Sequence, residues 1–156
     1  MVKSKSSSRF PSIDTVILMQ TDTTVGFASQ DTQKLYEVKS RTASKQFLKV
    51  YSSFKALNTA NIRIPYSRRS LVRRSKKTTF IVQNKAFRVA PSYLSSQVLN
   101  NLQWNYSTSA NESGKKFDYG FCEDKADIII QDKYGLKENC SSALIKINKT
   151  KQMRIR

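Results

Sequence analysis

The sequence predicts an α/β protein in which a mixed β-sheet is flanked by helices, and three observations support this fold class. Short apolar runs with β-branched residues, such as 16–19 and 126–130, are typical of buried strands. Stretches with apolar residues three or four positions apart, such as 31–39 and 91–102, are typical of amphipathic helices. These elements alternate irregularly and include one predicted hairpin, which a purely parallel sheet would not contain.

The predicted strands share a short apolar or β-branched run and lie at 16–19, 47–51, 78–82, 86–89, 126–130, 143–147 and 153–156. The predicted helices share an apolar face and lie at 31–39, 53–60 and 91–102. Asp31 or Thr32 would cap the first helix, since either side-chain oxygen can accept from free backbone N–H groups. Residues 62–65 predict an extended segment, because the residue before Pro65 disfavours helical backbone. Residues 106–114, rich in hydroxyl groups, predict a loop.

Length and composition indicate one compact domain with a strong positive charge. The chain has 156 residues, and we expect a flexible basic arm over 1–12 followed by one domain over 13–156. Its 28 Lys and Arg exceed its 11 Asp and Glu, which gives a formal net charge of +17. Such a charge favours a polyanionic partner, and nucleotide, RNA and an anionic membrane all remain open. A solvated basic surface that serves only solubility is the ordinary alternative.

Residue types that are rare or missing narrow the chemistry. The chain has no histidine, which excludes Ser-His and Cys-His catalytic pairs and histidine metal ligands. Cys122 and Cys140 form no CxxC pattern, so we expect reduced thiols in a cytoplasmic protein, with a single disulfide as the alternative. The basic start lacks the apolar core of a secretory signal, and the apolar run 16–19 is too short to span a bilayer.

Three short clusters carry side chains suited to binding small polar molecules. The first, 21–26, follows a predicted strand, and ligands of α/β sheets often bind at strand ends. The second is Lys39-Ser40-Arg41, whose two cations would converge on one anion if the backbone is extended there. The third, 107–114, offers hydroxyls and an amide that can bond phosphate, ribose or adenine. Each cluster also has an ordinary structural explanation. The first would be a turn, the second would place cations at the C-terminus of a helix, where the helix dipole favours them, and the third would be a solvated loop.

Taken together, the three clusters resemble the YrdC-like family. Its members carry Pro-Thr-(Asp/Glu)-Thr-x-Tyr-Gly-Leu, then a helix that ends in Lys-x-Arg, and later Ser-Thr-Ser-Ala-Asn-x-Ser-Gly. The matching segments here are 20–27, 39–41 and 107–114, of which the last matches completely. Weaker matches lie at 79–81, 88–90, 141–145 and the closing Arg156, with Arg154 as its rival.

This sequence departs from the family pattern at three places. Gln20 stands where the family has Pro, and Val25 stands where it has Tyr. Ser75-Lys76-Lys77 replaces Pro-Gly-Pro before Thr79. These departures concern the expected amino-acid pocket more than the nucleotide site.

The resemblance implies a single-domain, twisted mixed sheet with helices around a basic central cavity. It implies an L-threonylcarbamoyladenylate synthase, a nucleotidyltransferase that converts ATP, L-threonine and bicarbonate into threonylcarbamoyl-AMP and pyrophosphate. Partner proteins would then transfer the threonylcarbamoyl group to the adenosine beside the anticodon of tRNA. ATP would arrive with Mg²⁺, and we expect no metal held by the protein, since Asp22, Asp31 and Glu37 are scattered. We expect no membrane partner.

The resemblance also implies roles for individual residues. Lys39 and Arg41 are the expected catalytic residues, which would hold the phosphates and offset developing charge. The expected nucleotide-binding residues are Lys39, Arg41, Ser107, Ser109, Asn111, Ser142 and Arg156. The expected threonine-binding residues are Thr21, Thr23 and Arg88, with Arg88 meeting the carboxylate.

Two other functions remain open. A non-catalytic YrdC-like protein that binds tRNA or other structured RNA, including double-stranded RNA, would account for the net charge of +17 and for the altered motifs. A salt-steep RNA affinity without ATP turnover would favour it. A nucleotide-binding or regulatory domain would instead bind ATP and release no pyrophosphate in the presence of threonine.

Overall fold

The computed structural model describes residues 2–4, 12–40, 46–89, 102–112, 114–131 and 133–156. The chain divides into two compact units. Unit 1 comprises Met1–Phe47 and Asn105–Cys140, and unit 2 comprises Leu48–Trp104 and Ser141–Arg156. Each unit is therefore assembled from two separate stretches of sequence.

Unit 1 contains a mixed sheet with described strands in the order β1-β8-β2-β3-β7. The pairing of β2 with β8 is parallel, while β1 with β8, β2 with β3, and β3 with β7 pair antiparallel. The bounds are β1 Val2–Ser4, β2 Ile17–Gln20, β3 Val25–Ser29, β7 Trp104–Ser109 and β8 Ile128–Ile130. The helices of this unit are α1, Thr32–Lys39, and α4, Tyr119–Lys125.

The helices α1 and α4 each begin at an aspartate cap and bury an apolar side on the sheet. The carboxylate of Asp31 accepts from Gln33 N at 2.8 Å, and that of Asp118 accepts from Phe121 N at 2.7 Å. The apolar core of the unit joins sheet residues with helix residues: Val16, Leu18, Val25, Phe27, Leu35, Val38, Phe47, Ala110, Cys122, Ala126 and Ile129. Because α1 packs through this core, its last residue, Lys39, is fixed relative to β3 and β7.

Unit 2 contains a second mixed sheet, with described strands in the order β4-β6-β5-β9-β10. The β4–β6 and β5–β9 pairs are parallel, and the β5–β6 and β9–β10 pairs are antiparallel. The bounds are β4 Leu48–Tyr51, β5 Thr78–Val82, β6 Lys85–Val89, β9 Ala143–Ile147 and β10 Gln152–Arg154. The helical segments among its described residues are α2, Phe54–Asn58, a 3₁₀ turn, Tyr66–Arg68, and α3, Arg69–Arg74.

The predicted α/β class with a mixed sheet flanked by helices is confirmed. The predicted hairpin is also present, and Gln83 and Asn84 make its turn with φ of 48° and 62°. Residues 106–109 are strand rather than the predicted loop, because their backbone pairs with β3. Within the predicted arm, Val2–Ser4 form β1, since the edge of β8 offers backbone groups for pairing. The predicted helix at 91–102 lies almost wholly outside the described residues.

Candidate functional site

The turn between β2 and β3 is organised by the hydroxyl of Thr21. Its Oγ1 accepts from the backbone N–H groups of Thr23 and Thr24, both at 3.2 Å, and donates to the Thr24 carbonyl at 2.7 Å. The backbone N–H of Thr21 donates to the same carbonyl at 3.0 Å. Thr23 is buried, and its Oγ1 lies 3.3 Å from that of Thr21. The first predicted cluster is therefore a closely hydrogen-bonded turn lined by hydroxyl groups.

Gly26 allows this turn to lie against β7. A Cβ at position 26 would lie 3.0 Å from Thr21 Cγ2, 3.1 Å from the Thr108 carbonyl oxygen and 3.4 Å from Ser107 Oγ. The Thr108 carbonyl belongs to a paired strand and cannot yield as the tip of a side chain would. The close approach therefore requires glycine, and it brings Thr21 of the first cluster next to Ser107 of the third.

Lys39 joins the second cluster to the third. The residue is only 5% exposed, and its Nζ donates to the Ser109 carbonyl at 2.9 Å and to Asn111 Oδ1 at 2.7 Å. The Asn111 carbonyl accepts from the same nitrogen. Asn111 Oδ1 also accepts from Ser109 Oγ at 2.8 Å, and Asn111 Nδ2 donates to the Lys115 carbonyl at 2.6 Å. One ammonium group thus holds the segment that follows β7 in a defined shape.

A second chain of polar groups lies in unit 2. Arg88 is buried on β6, and its Nη2 donates to Thr79 Oγ1 on β5 at 3.1 Å. Thr79 Oγ1 lies 3.0 Å from the hydroxyl of Ser142, which is also buried. Arg156 Nε donates to the Ser142 carbonyl at 3.2 Å. Thr79 therefore links Arg88 to Ser142, and Ser142 in turn contacts Arg156.

The structure gathers the predicted residues into two sets and leaves one out. The set in unit 1 comprises Thr21, Thr23, Lys39, Ser107, Ser109 and Asn111. The set in unit 2 comprises Arg88, Ser142 and Arg156. Arg41 lies outside the described residues. The ligand roles expected for all of them, and the expected basic cavity, stay predictions.

The departures from the family motif have structural explanations in unit 1. Val25 is 1% exposed and belongs to the apolar core with Leu18 and Phe27, so it faces the core. The side chain of Gln20 accepts from Lys137 N at 2.9 Å and donates to the Thr21 carbonyl at 3.3 Å. Gln20 thereby ties the hydroxyl-lined turn to the segment around Lys137, a contact that proline could not make.

Two polar residues of these regions were not among the predicted site residues. Thr79 is one, although 79–81 resembles the family pattern. Asn105 is the other: it is completely buried on β7, and neither polar atom of its amide has a hydrogen-bond partner within the described part of the chain. Strand alternation places Asn105, Ser107 and Ser109 on one face. Polar residues at every second position are the sequence signal for this strand, and the predicted loop over 106–114 overlooked it.

Two ionisable groups have altered proton affinity. Burial raises the pKa of the Cys122 thiol to about 11, which keeps this thiol neutral and unreactive near pH 7. Burial, followed by the charge of Lys85, lowers the pKa of Lys49, whose Nζ lies 3.6 Å from the centroid of the Trp104 ring. Both cysteines are free thiols.

The described residues place no three or more Cys, Asp or Glu side chains where they could together hold a metal ion. In the same ranges, no helix combines the length and apolar character needed to cross a bilayer.

No protein-family model and no curated protein sequence matches the chain. Solved structures do match: Sua5 from P. abyssi in complex with L-threonine aligns at a TM-score of 0.71 and 19% identity over 91% of this chain. YciO from E. coli aligns at 0.72 and 16% identity, covering 92% of this chain and 82% of its own. HypF in a phosphate- and nucleotide-bound form aligns at 0.67 and 14% identity, covering 91% of this chain and 22% of HypF.

The chain spans about half the length of Sua5, since it covers 52% of a doubly substituted Sua5 variant and 50% of the threonine complex. At these identities the alignments establish the fold. The described residues of the clusters that suggested a YrdC-like protein belong to the turn, the helix and the strand given above. We conclude that this chain has the YrdC-like fold seen in Sua5 and YciO.

Proposed function

We propose that the chain is an L-threonylcarbamoyladenylate synthase, acting in the pathway that makes N6-threonylcarbamoyladenosine in tRNA. The observation that carries the proposal is the contact between Lys39 and the segment Ser109–Asn111, which lies seventy residues further along the chain. The motifs around Lys39 and around Asn111 are each too short to indicate a function alone, but here they share one hydrogen-bonded network. Sua5 in complex with L-threonine and HypF in a nucleotide-bound form share this fold, which supports the same ligand classes here.

The proposed reaction needs positioning and charge more than a strong base. The threonine amine attacks bicarbonate and expels water, and a carbamate oxygen then attacks the α-phosphorus of ATP. The bond from the α-phosphorus to the bridging oxygen breaks, and pyrophosphate leaves with the electron pair. Fixed cations and hydrogen-bond donors stabilise the charge that develops on the phosphate oxygens. This chemistry is compatible with a chain that has no histidine.

The residues of unit 1 would act on the nucleotide. Lys39 supplies a fixed positive charge beside Ser109 and Asn111, and its hydrogen bonds shape the segment that meets the phosphates or ribose. Arg41 would add a second cation, and Ser107 would contribute a hydroxyl from the same face of β7 as Ser109. Mg²⁺ would arrive bound to the phosphates of ATP.

Each residue proposed to bind threonine lies in a polar network of its own unit. Arg88 carries the planar fork that matches a carboxylate, and Thr79 and Ser142 orient it. Thr21 uses its hydroxyl within its own turn, so it would shape the site while Thr23 lines it. Arg156 would act through Ser142, whose carbonyl accepts from it.

The experiment is a mass-resolved assay of pyrophosphate and acyl-adenylate with ATP, Mg²⁺, bicarbonate and each candidate amino acid. We expect product with threonine alone, and a large loss of product in Lys39→Met. Lys34→Met is the matched control on the same helix, because Lys34 is exposed and contacts the exposed carboxylate of Asp14. A folded protein that binds ATP yet yields no threonine-dependent pyrophosphate would exclude the synthase and leave a nucleotide-binding relative.

A further inference from the structure

The strand β10 lies at an edge of the sheet in unit 2. Among the described strands it has one neighbour, β9, and no strand follows it in the order. Residues 151–156 are all exposed, so the side of β10 that faces away from β9 is open to solvent. An open edge presents backbone N–H and C=O groups that can pair with another strand.

The hydrogen bonds between β9 and β10 decide which backbone groups face this edge. Ile155 N donates to the Leu144 carbonyl at 2.7 Å. In an antiparallel pair, residues that bond the partner strand alternate with residues whose N–H and C=O groups point away from it. Counted back from Ile155, Met153 is bonded to β9, whereas Gln152 and Arg154 point away from it. The open edge therefore carries the N–H and C=O groups of Gln152 and Arg154.

The side chains on the two faces of β10 differ in character. Because side chains alternate along a strand, Met153 and Ile155 lie on one face and Arg154 lies on the other. Met153 is 55% exposed and Ile155 is 51% exposed, which is unusual for large apolar side chains, and Arg154 is exposed as well. A strand added at this edge would meet apolar groups on one face and a cation on the other.

The charge around this edge determines which strand can pair there. Unit 2 contains sixteen of the 28 Lys and Arg residues and none of the 11 Asp and Glu residues. Lys151 and Arg154 are exposed at the edge itself. A second copy of this chain would bring the same cations to the edge, and like charges on neighbouring strands repel each other. A strand that carries carboxylates would instead gain ion pairs across the new pairing.

We propose that β10 binds an extended acidic segment of a partner protein, which adds to the sheet as a further strand. The segment alternates apolar and acidic residues, so that its apolar side chains pack on Met153 and Ile155 while a carboxylate meets Arg154. Hydrogen bonds to the backbone of Gln152 and Arg154 supply affinity, and the alternation of side chains supplies specificity. The inference does not depend on the synthase reaction, because none of these residues is placed in that site.

The test is fluorescence anisotropy with a labelled peptide of alternating valine and glutamate. A peptide with lysine in place of glutamate is the control for charge. Two further peptides carry N-methyl groups on all the valines or on all the glutamates. Because the N–H groups of alternate residues point to opposite edges of a strand, each of these peptides has lost the N–H groups of one edge. The four peptides probe the pairing while the protein stays unchanged.

Variants of the protein test the same pairing from the other side. Arg154→Gln and Arg154→Pro lose the same charge, but only proline also removes the N–H group at the open edge. We expect Arg154→Pro to bind the acidic peptide about 2- to 10-fold more weakly than Arg154→Gln, the effect of one hydrogen bond. Proline is tolerated where the N–H group of an edge strand faces solvent, so the urea midpoints of the two variants should agree. Lys55→Gln, which removes an exposed cation of α2, should bind as the parent does.

We expect the acidic peptide to bind, the lysine peptide not to bind, and one of the two N-methylated peptides to lose binding while the other keeps it. Equal affinity for the acidic and lysine peptides, or equal effects of the two N-methylated peptides, would overturn the proposal. This comparison also decides the matter if Arg154→Pro fails to fold. A dimer of the parent in analytical ultracentrifugation that Arg154→Pro abolishes would show that a second copy occupies this edge, and would refute the acidic partner.

Discussion

Replacement of Lys39 by methionine would test the network that connects α1 to the segment after β7. Methionine keeps the length and helix propensity of the side chain but removes the ammonium group. Three oxygens then lose their donor: the Ser109 carbonyl at 2.9 Å, Asn111 Oδ1 at 2.7 Å and the Asn111 carbonyl. We expect a less stable protein whose Ser109–Asn111 segment no longer keeps its shape.

The magnitude follows from two opposing contributions. A hydrogen bond from a charged donor contributes about 1.5–3 kcal/mol, so three are worth about 5–9 kcal/mol in gross terms. Burial of the ammonium costs several kcal/mol, and methionine avoids that cost. The net loss in the free energy of unfolding should be about 2–4 kcal/mol. For a chain of this length, that loss lowers Tm by about 5–15 °C.

Urea and thermal unfolding measure this loss, with Lys34→Met as the control on the same helix. The m-value should stay constant while the midpoint falls, since the folded surface changes little. A double-mutant cycle that combines Lys39→Met with Asn111→Ala should give a coupling energy of about 0.5–3 kcal/mol between positions 39 and 111. A Lys39→Met midpoint equal to that of the parent, with no coupling, would refute the idea that Lys39 holds this segment.

Three further predictions concern other positions. Gly26→Ala should cost about 1–3 kcal/mol of unfolding free energy, because its Cβ would lie 3.1 Å from the Thr108 carbonyl oxygen; an unchanged urea midpoint would contradict this. Asn105→Val should raise Tm, because a buried amide without partners costs about 1–3 kcal/mol and valine fits a strand; a lowered Tm would show that the amide is needed for folding. Burial raises the pKa of the Cys122 thiol from 9.0 to about 11 in the folded protein, so below pH 9 the thiol is neutral in the folded and the unfolded chain. Above pH 9 the thiol ionises first in the unfolded chain. Stability should therefore fall by up to about 3 kcal/mol more between pH 9 and 11 in the parent than in Cys122→Ala. At pH 8 a thiol reagent should label Cys140 at once and Cys122 only after unfolding; two fast thiols would contradict the burial.

Local sequence signals predicted the elements that are stabilised locally. The helix α1 has an aspartate cap and apolar residues three apart, and both features appear in the structure as Asp31 and the buried pair Leu35 and Val38. The hairpin of β5 and β6 was predictable for a similar reason, since the polar segment 83–85 lies between two apolar runs; in the structure Lys85 already belongs to β6. Such elements carry their own stabilisation in a short window of sequence.

The elements that were missed depend on distant partners. Most of the strand β7 was predicted as a loop, because this segment is rich in hydroxyl residues such as Ser107 and poor in apolar ones. Its extended backbone is stabilised by hydrogen bonds to β3, which lies far away in the sequence. The helix α3 was not predicted, because its buried Val72 lies in a short segment rich in arginine. The motif resemblance predicted that Lys39 and Asn111 share a site, but not that they hydrogen-bond to each other.

The interleaving of the two units along the chain constrains how the protein can be dissected and how it folds. In unit 2 the pairing of β5 with β9, in which Thr79 lies opposite Leu144, joins the two stretches of the unit. The residues between these stretches, Asn105–Cys140, belong to unit 1. No single cut therefore releases either unit intact, and a unit could be expressed alone only if its two stretches were joined by a new linker. Because such pairings close long loops before they gain contacts, we expect slow folding in which each unit waits for its second stretch of chain.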